Sequence, residues 1–198
     1  MRTFVIVGRT ATASSEFLLD DLAGSSGRLD VLVRCVRAAL LTSHGVRKNA
    51  EIFLILLGGD RAPRTVRIDG ETAKFLRPDE RSLAILLQKS LASRADDDVT
   101  GFVAVRPGVS IARGGLPELL PSFGARALIV LAEGAPDVRA AALDSGAVVV
   151  LGDHTGFDEL VLADLHARGA ASASLGPVSM HTDDAVCVMN NELDRRGL

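Results

Sequence analysis

AVVVLGDHTGF (147–157) and ASLGPVSMHTDDAVCVMNNELD (173–194) are the two segments whose reading decides the fold. In each, an apolar run or a short Ser/Ala stretch enters a glycine turn and leaves it as a helix-like run. Glycine has no side chain, so main-chain N–H and C=O groups in such turns approach a bound ligand closely. Two such turns imply a small-molecule pocket lined mostly by backbone. Neither carries a nucleophile with its base, so the pattern points to cofactor binding before covalent chemistry.

Working outward, strand ALIVL (127–131) and a predicted helix PDVRAAALDSG (136–146) precede the first turn. A helix FDELVLADLHARG (157–169), stopped at Gly169, follows it, and DDAVCVMNNELDRR (183–196) closes the chain as a helix. Alternating strands and helices predict an α/β protein with a mostly parallel sheet covered by helices. Toward the N-terminus, TFVIVG (3–8) reads as a strand and Thr10 to Gly27 as a long polar loop. RLDVLVRCVRAALLTS (28–43) is a helix with Leu29, Leu32, Val33, Val36 and Leu40 at core spacing and Asp30, Arg34 and Arg37 on the opposite face. EIFLILLGG (51–59) is a buried strand, and RAPRTVRIDG (61–70) an edge strand with a hairpin. Pro78-Asp79-Glu80 opens a helix through SLAILLQKSLAS (82–93). Residues 94–123, with the Asp96-Asp97-Asp98 run, read as loops around one short strand, FVAV (102–105).

At 198 residues with 47% apolar composition, the chain suits one compact domain. It has no Trp or Tyr and seven Phe, which argues against aromatic base-stacking platforms. The longest apolar run, IFLILL (52–57), is strand-sized, so no membrane span is expected. MRTFVIVG at the start lacks signal-peptide anatomy, and Cys35 and Cys187 lack metal-type spacing; free thiols in a cytoplasmic protein are the expectation. Residues 1–120 hold 17 Lys/Arg against 14 Asp/Glu, a net +3, whereas residues 121–198 hold 5 against 11, a net −6. The basic half either forms a phosphate-facing surface or is an ordinary solvated one.

Several chemistries fail on spacing. His154, His181 and Asp153 can be drawn as a metal site for a hydrolase, yet no His-x-x-x-His or Cys-x-x-Cys pair is present, so no metal is expected. No Gly-x-Ser-x-Gly elbow follows a strand, no Gly-Lys-[Ser/Thr] loop exists, and Gly-x-Gly-x-x-Gly is absent after Val7 or Leu151. Cys187 falls one turn into the last helix, beside the second glycine loop, where a small buried hydrophobe is the simplest role.

DLAGSSGRLDVLVRCVRAALLTSHGVR (21–47), PDERSLAI (78–85), VLGDHTGF (150–157) and SLGPVSMHTDDAVCVMNNELD (174–194) together resemble the archaeal tRNA (pseudouridine-54) N1-methyltransferase family and its bacterial relatives, members of the SPOUT methyltransferases. The resemblance implies an α/β sheet with helices on both faces and a C-terminal trefoil knot. It implies a single domain over 1–198, with an N-terminal RNA-side part to about residue 120 and a knotted cofactor-binding part beyond. S-adenosyl-L-methionine would then be held by Leu131, Gly152, Ser174, Leu175, Gly176, Pro177, Ser179, Met180 and Cys187. Arg28 and Asp30 would be the catalytic candidates, with Arg34 and Arg37 on RNA phosphate. The implied partners are an RNA substrate, tRNA first, and a second copy of the chain, with Val186, Val188 and Met189 of the last helix available to a homodimer. Residues 94–123 do not match the family's RNA-side segment clearly, which leaves another RNA target open. A non-catalytic knotted module that binds RNA or cofactor is the alternative.

Overall fold

The computed structural model describes residues 1–97 and 99–198. Its elements in chain order are β1 (Arg2–Thr12), α1 (Leu22–Ser25), α2 (Leu29–Leu40), β2 (Leu41–Thr42), β3 (Gly45–Val46), β4 (Ala50–Gly58), β5 (Arg64–Asp69) and α3 (Glu80–Leu91). They continue as β6 (Val103–Arg106), β7 (Val109–Arg113), α4 (Leu116–Leu119), β8 (Leu128–Leu131), β9 (Val148–Gly152), α5 (Glu159–Ala167), β10 (Ala171–Ala173) and α6 (Thr182–Arg195). Eight strands form one sheet in the order β10-β8-β9-β1-β4-β5-β7-β6. From β10 to β4 every pairing is parallel, and from β4 to β6 every pairing is antiparallel.

Strand side chains alternate between the two faces of the sheet, and two cores result. Phe4 and Ile6, Ile52, Leu54 and Leu56, and Val149 and Leu151 face α2, α3 and α6. Val5 and Val7, Phe53 and Ile55, and Val148 and Val150 face α4 and α5. Helices thus cover both faces, as expected. The near-unbroken apolar runs in β1, β4 and β9 follow from burial on both sides.

Four expectations are corrected. The polar stretch after Thr10 is not one long loop: β1 runs on to Thr12, and a 3-10 turn (Leu19–Asp21) and α1 follow, capped by the Asp21 carboxylate. β5 is interior, not an edge strand, because β7 pairs along its outer side. Residues 94–123 hold two strands and α4 rather than one strand, with Asp98 lying outside the described residues. The helix expected over 136–146 is only a 3-10 turn, Val138–Ala140. Its backbone has other partners: Ser174 N–H donates to the Pro136 carbonyl at 2.8 Å, and Val138 N–H donates to the Ser174 carbonyl at 2.8 Å. Arg196 donates to the carbonyls of Val138 and Ala141, both at 2.9 Å.

Candidate functional site

β8, β9 and β10 are parallel, so their carboxyl ends at Leu131, Gly152 and Ala173 lie side by side. Ligand sites in open parallel sheets gather at that end. The loops leaving these strands enclose a cleft of about 1180 Å³, closed on its remaining side by Arg28, Val31 and Arg34 of the α2 region and by Thr182 to Ala185 of α6. Its walls mix apolar side chains (Leu131, Leu151, Leu162, Leu175) with backbone from the two glycine loops.

Both loops are held by local bonds. A Cβ on Gly152 would lie 2.7–2.9 Å from the backbone of Gly156, so only glycine lets the 152–156 turn fold back this tightly. Buried Asp153 fastens that turn, accepting from Thr155 N–H at 2.8 Å and from Arg9 N–H, within β1, at 2.8 Å. In the second loop, Ser174 Oγ donates to the Gly176 carbonyl at 2.8 Å, and Thr182 Oγ1 donates to the Gly152 carbonyl at 3.0 Å, tying the two loops together. Ser179 Oγ bonds the Glu133 carboxylate across the cleft.

At the α2 wall, Gly27 (φ +62°) sits against Thr10, where a Cβ would lie 1.9 Å from the carbonyl oxygen. Arg28 follows in a left-handed conformation as well, φ +69°. Such geometry costs about 1–2 kcal/mol in a residue with a side chain, and it is offset here by a two-pronged bond: Arg28 Nε and Nη2 reach the Asp30 carboxylate at 3.0 and 3.2 Å. Arg34 Nη1 donates to the same carboxylate at 3.0 Å. Burial on its own would raise the Asp30 pKa, but the bonds from Arg28 and Arg34 outweigh it and hold the carboxyl below the ordinary range. Arg34 also meets Glu80 at 3.3 Å and Asp183 at 3.6 Å.

Of the residues expected at the cofactor, Leu131, Gly152, Ser174, Leu175, Gly176, Ser179 and Met180 all line the cleft. Pro177 lies exposed in the same loop but off the lining. Cys187 is exposed on α6, not the small buried hydrophobe expected, and lies off the lining of its own chain's cleft. Arg28 and Arg34 line the cleft, Asp30 backs them from a buried position, and Arg37 is exposed outside it. Asp30 is therefore not on a solvated helix face, as its spacing suggested. Val186 and Met189 are fully buried within the chain, leaving Val188 alone of the three exposed. Glu133 and Asp183 line the cleft as well and were not singled out in the sequence: Glu133 follows ALIVL outside any quoted motif, and Asp183 lies within the last one, at the start of the final helix. Among the described residues no cluster of His, Cys, Asp and Glu has the geometry to hold a metal ion.

The whole chain, residues 1–198, matches the model of a family described as "Putative SAM-dependent RNA methyltransferase". It is 41% identical over 196 residues to the tRNA (pseudouridine(54)-N(1))-methyltransferase of Methanosarcina mazei, covering 98% of this chain and 92% of the relative. It is 41% identical over 200 residues to the enzyme of the same name from Haloarcula marismortui, covering 100% and 98%. Its backbone resembles the crystal structure of Archaeoglobus fulgidus Nep1 bound to S-adenosylhomocysteine, with a TM-score of 0.65 at 14% identity over 100% of this chain and 99% of that one. By full-length match and by identity, the chain belongs to the family of SAM-dependent RNA methyltransferases.

Proposed function

We propose that this protein transfers a methyl group from S-adenosylmethionine to N1 of a pseudouridine in tRNA, at position 54 as in the names of its relatives. The single observation that carries the reading is the cleft in which both glycine loops and the Arg28–Asp30 pair meet. Its apolar walls and main-chain donors fit an adenosine group, which needs shape and hydrogen bonds rather than charge. Leu131, Gly152, Ser174, Leu175, Gly176, Ser179 and Met180 would hold the cofactor, with Pro177 shaping the loop; bound there, it supplies an electrophilic methyl group. Cys187 is left out unless a second copy brings it to a neighbouring cleft.

Pseudouridine is joined to its ribose through carbon, so N1 bears a proton that would pass to solvent water as the new N–C bond forms, while the methyl–sulfur bond breaks and S-adenosylhomocysteine leaves. Arg28, half-exposed on the cleft, is placed to stabilise the imide oxygen as negative charge develops on the ring. Asp30 is the residue that positions it. Already ionised and bonded by two guanidinium groups, Asp30 suits orienting Arg28 better than accepting a proton. Alignment of N1 with the reactive methyl supplies the remaining rate through proximity. Arg34, bonded by Asp30, Glu80 and Asp183, reads as a strut rather than a phosphate contact, while exposed Arg37 has no ion-pair partner among the described residues and keeps that role.

The domain reading follows the same division: residues to about 120 face RNA, and the rest, threaded as a trefoil knot, hold the cofactor. Supporting the threading, residue 174 runs alongside Pro136 and Val138 before the chain returns to Gly152 through Thr182. A homodimer is supported by exposed Leu160, Val178 and Val188, at 83%, 74% and 40%. No helix among the described residues is long and apolar enough to cross a membrane; a cytoplasmic tRNA enzyme is the accompanying proposal. The test is to incubate tRNA containing pseudouridine with methyl-labelled S-adenosylmethionine, digest it and identify the labelled nucleoside by mass spectrometry. N1-methylpseudouridine is expected, and label on ribose oxygen or ordinary uridine overturns the assignment.

A further inference from the structure

Phe75 is 94% exposed and adopts a left-handed backbone, φ +60°. Both features disfavour an aromatic residue, and strained, exposed side chains gather at binding sites. The strain is held from both sides. The Asp69 carboxylate accepts from Glu71 N–H and Thr72 Oγ1, both at 2.9 Å, and Ala73 N–H donates to the Asp69 carbonyl at 2.8 Å. Ala73 is buried under the backbone of Gly108 in the β6–β7 turn, and Leu76 packs on the core. Downstream, the Asp79 carboxylate caps α3 through Ser82 N–H at 2.7 Å. Phe75 is therefore presented by a fixed turn.

Its flanks are basic. Lys74 and Arg77 are exposed and make no ion pair among the described residues, and exposed Arg106 stands in the hairpin that rests on Ala73. Of the nearby acids, Glu80 is paired with Arg34, while Asp69 and Asp79 keep their charge but have their carboxylates committed to the turn and to the cap of α3. The Ser82 bonds, and after them nearby Arg77, hold the Asp79 carboxyl below its ordinary pKa. Glu71 alone is exposed without a side-chain partner. Lysine is depleted at protein–protein interfaces, whereas an aromatic face beside unpaired cations is the pattern that takes a nucleobase and its phosphates. Glu80 lies five positions after Phe75, at most about 18 Å of extended chain, and touches Arg34 on the cleft wall.

We infer that Phe75, with Lys74 and Arg77 beside it, is a second RNA contact that stacks on an unpaired base outside the cleft. The inference rests on the proposed RNA methyl transfer. It also amends the composition argument: one well-placed phenylalanine serves where no platform of aromatics exists. Because the chain has no Trp or Tyr, Phe75→Trp installs the only indole, and titration with pseudouridine-containing tRNA is expected to quench it. Phe75→Ala is expected to weaken tRNA binding about 5- to 150-fold, the range for losing one stacked base, raising KM while kcat and S-adenosylhomocysteine affinity stay unchanged. Phe75→Trp restores binding. Lys74→Ala and Arg77→Ala each lower the salt dependence, log K against log salt, by about 0.7 to 0.9.

Wild-type RNA affinity in Phe75→Ala, or an unquenched indole, overturns the inference, as does a shift of oligomeric state in Phe75→Ala at unchanged RNA affinity. Binding and turnover fail separately. A wild-type protein that binds tRNA without methylating it sinks the proposed function and leaves the Phe75 measurement decisive; one that binds no tRNA sinks both.

Discussion

Arg28 and Arg34 share the Asp30 carboxylate, yet their remaining surroundings set them apart. Arg34 is further engaged by Glu80 and Asp183, whereas Arg28 has Asp30 alone and faces the cleft. Arg28→Ala is therefore expected to lower kcat about 100-fold, the loss typical of one charge-stabilising donor, with calorimetric affinity for S-adenosylhomocysteine unchanged. Asp30 adds a dependence on pH. Its folded pKa lies below the ordinary carboxyl value, so its stabilising contribution is complete at neutral pH and is lost as pH falls through that depressed folded value. Thermal melts of wild type and Asp30→Asn are expected to differ by a constant Tm gap near neutrality, and the gap closes below about pH 4. At Gly152 the argument is steric. A methyl group 2.7–2.9 Å from the Gly156 backbone forces the loop outward, so Gly152→Ala is expected to weaken S-adenosylhomocysteine binding at least about 10-fold, roughly 1.4 kcal/mol. Calorimetry reads this directly. The two glycine loops were legible in the sequence because tight turns have few residue solutions. The Asp30–Arg34 spacing was legible too, but the burial of Asp30 was not, since spacing on one helix says nothing about the loop that brings Arg28 over it.

Elements with two-sided burial were easy to read: β1, β4 and β9 announce themselves as apolar runs because helices cover both faces of the sheet. Those built on charged residues were not. β5 reads as an edge strand, yet it lies inside the sheet, and its Arg64 is 1% exposed and neutralised by Asp96 from a distant loop. The segment 136–146 has a helix-like composition, but its backbone groups are claimed by Ser174 and by Arg196 at the end of α6. Both competing partners lie far along the chain, where local pattern has no reach. Arg196 is then a fastener for the segment that bonds Ser174, one of the residues lining the cleft. Arg196→Ala strips two carbonyls of a charged donor, which is expected to cost about 1–3 kcal/mol. Amide exchange should accelerate at Val138, Ala140 and Ala141 before it does at β8 or β9. Equal protection in the variant would show that the segment holds itself.

At the scale of the molecule, the parallel half of the sheet carries the cleft and the antiparallel half needs its own anchor. That anchor is Arg64, one of the largest fully buried side chains. Its guanidinium bonds the Asp96 carboxylate at 2.8 and 2.7 Å and reaches the carbonyls of Ala13, Leu91 and Ser93, joining β5, the turn after β1 and the end of α3. A buried pair of this kind contributes little net stability as a unit, because desolvating two charges offsets their attraction. Losing one partner is different, since the survivor is left charged in an apolar setting. Asp96→Ala is accordingly expected to lower the unfolding free energy by about 3–5 kcal/mol in urea titrations, while Arg64→Met with Asp96→Leu loses less than either single change. S-adenosylhomocysteine at 100 times its Kd should restore about 2.7 kcal/mol to any variant whose cleft is intact. Recovery of that size in Asp96→Ala would show that the cleft in the parallel half survives weakening of the antiparallel half. No recovery, with the protein still folded, would mean that Arg64 holds the cleft in shape from the far side of β1.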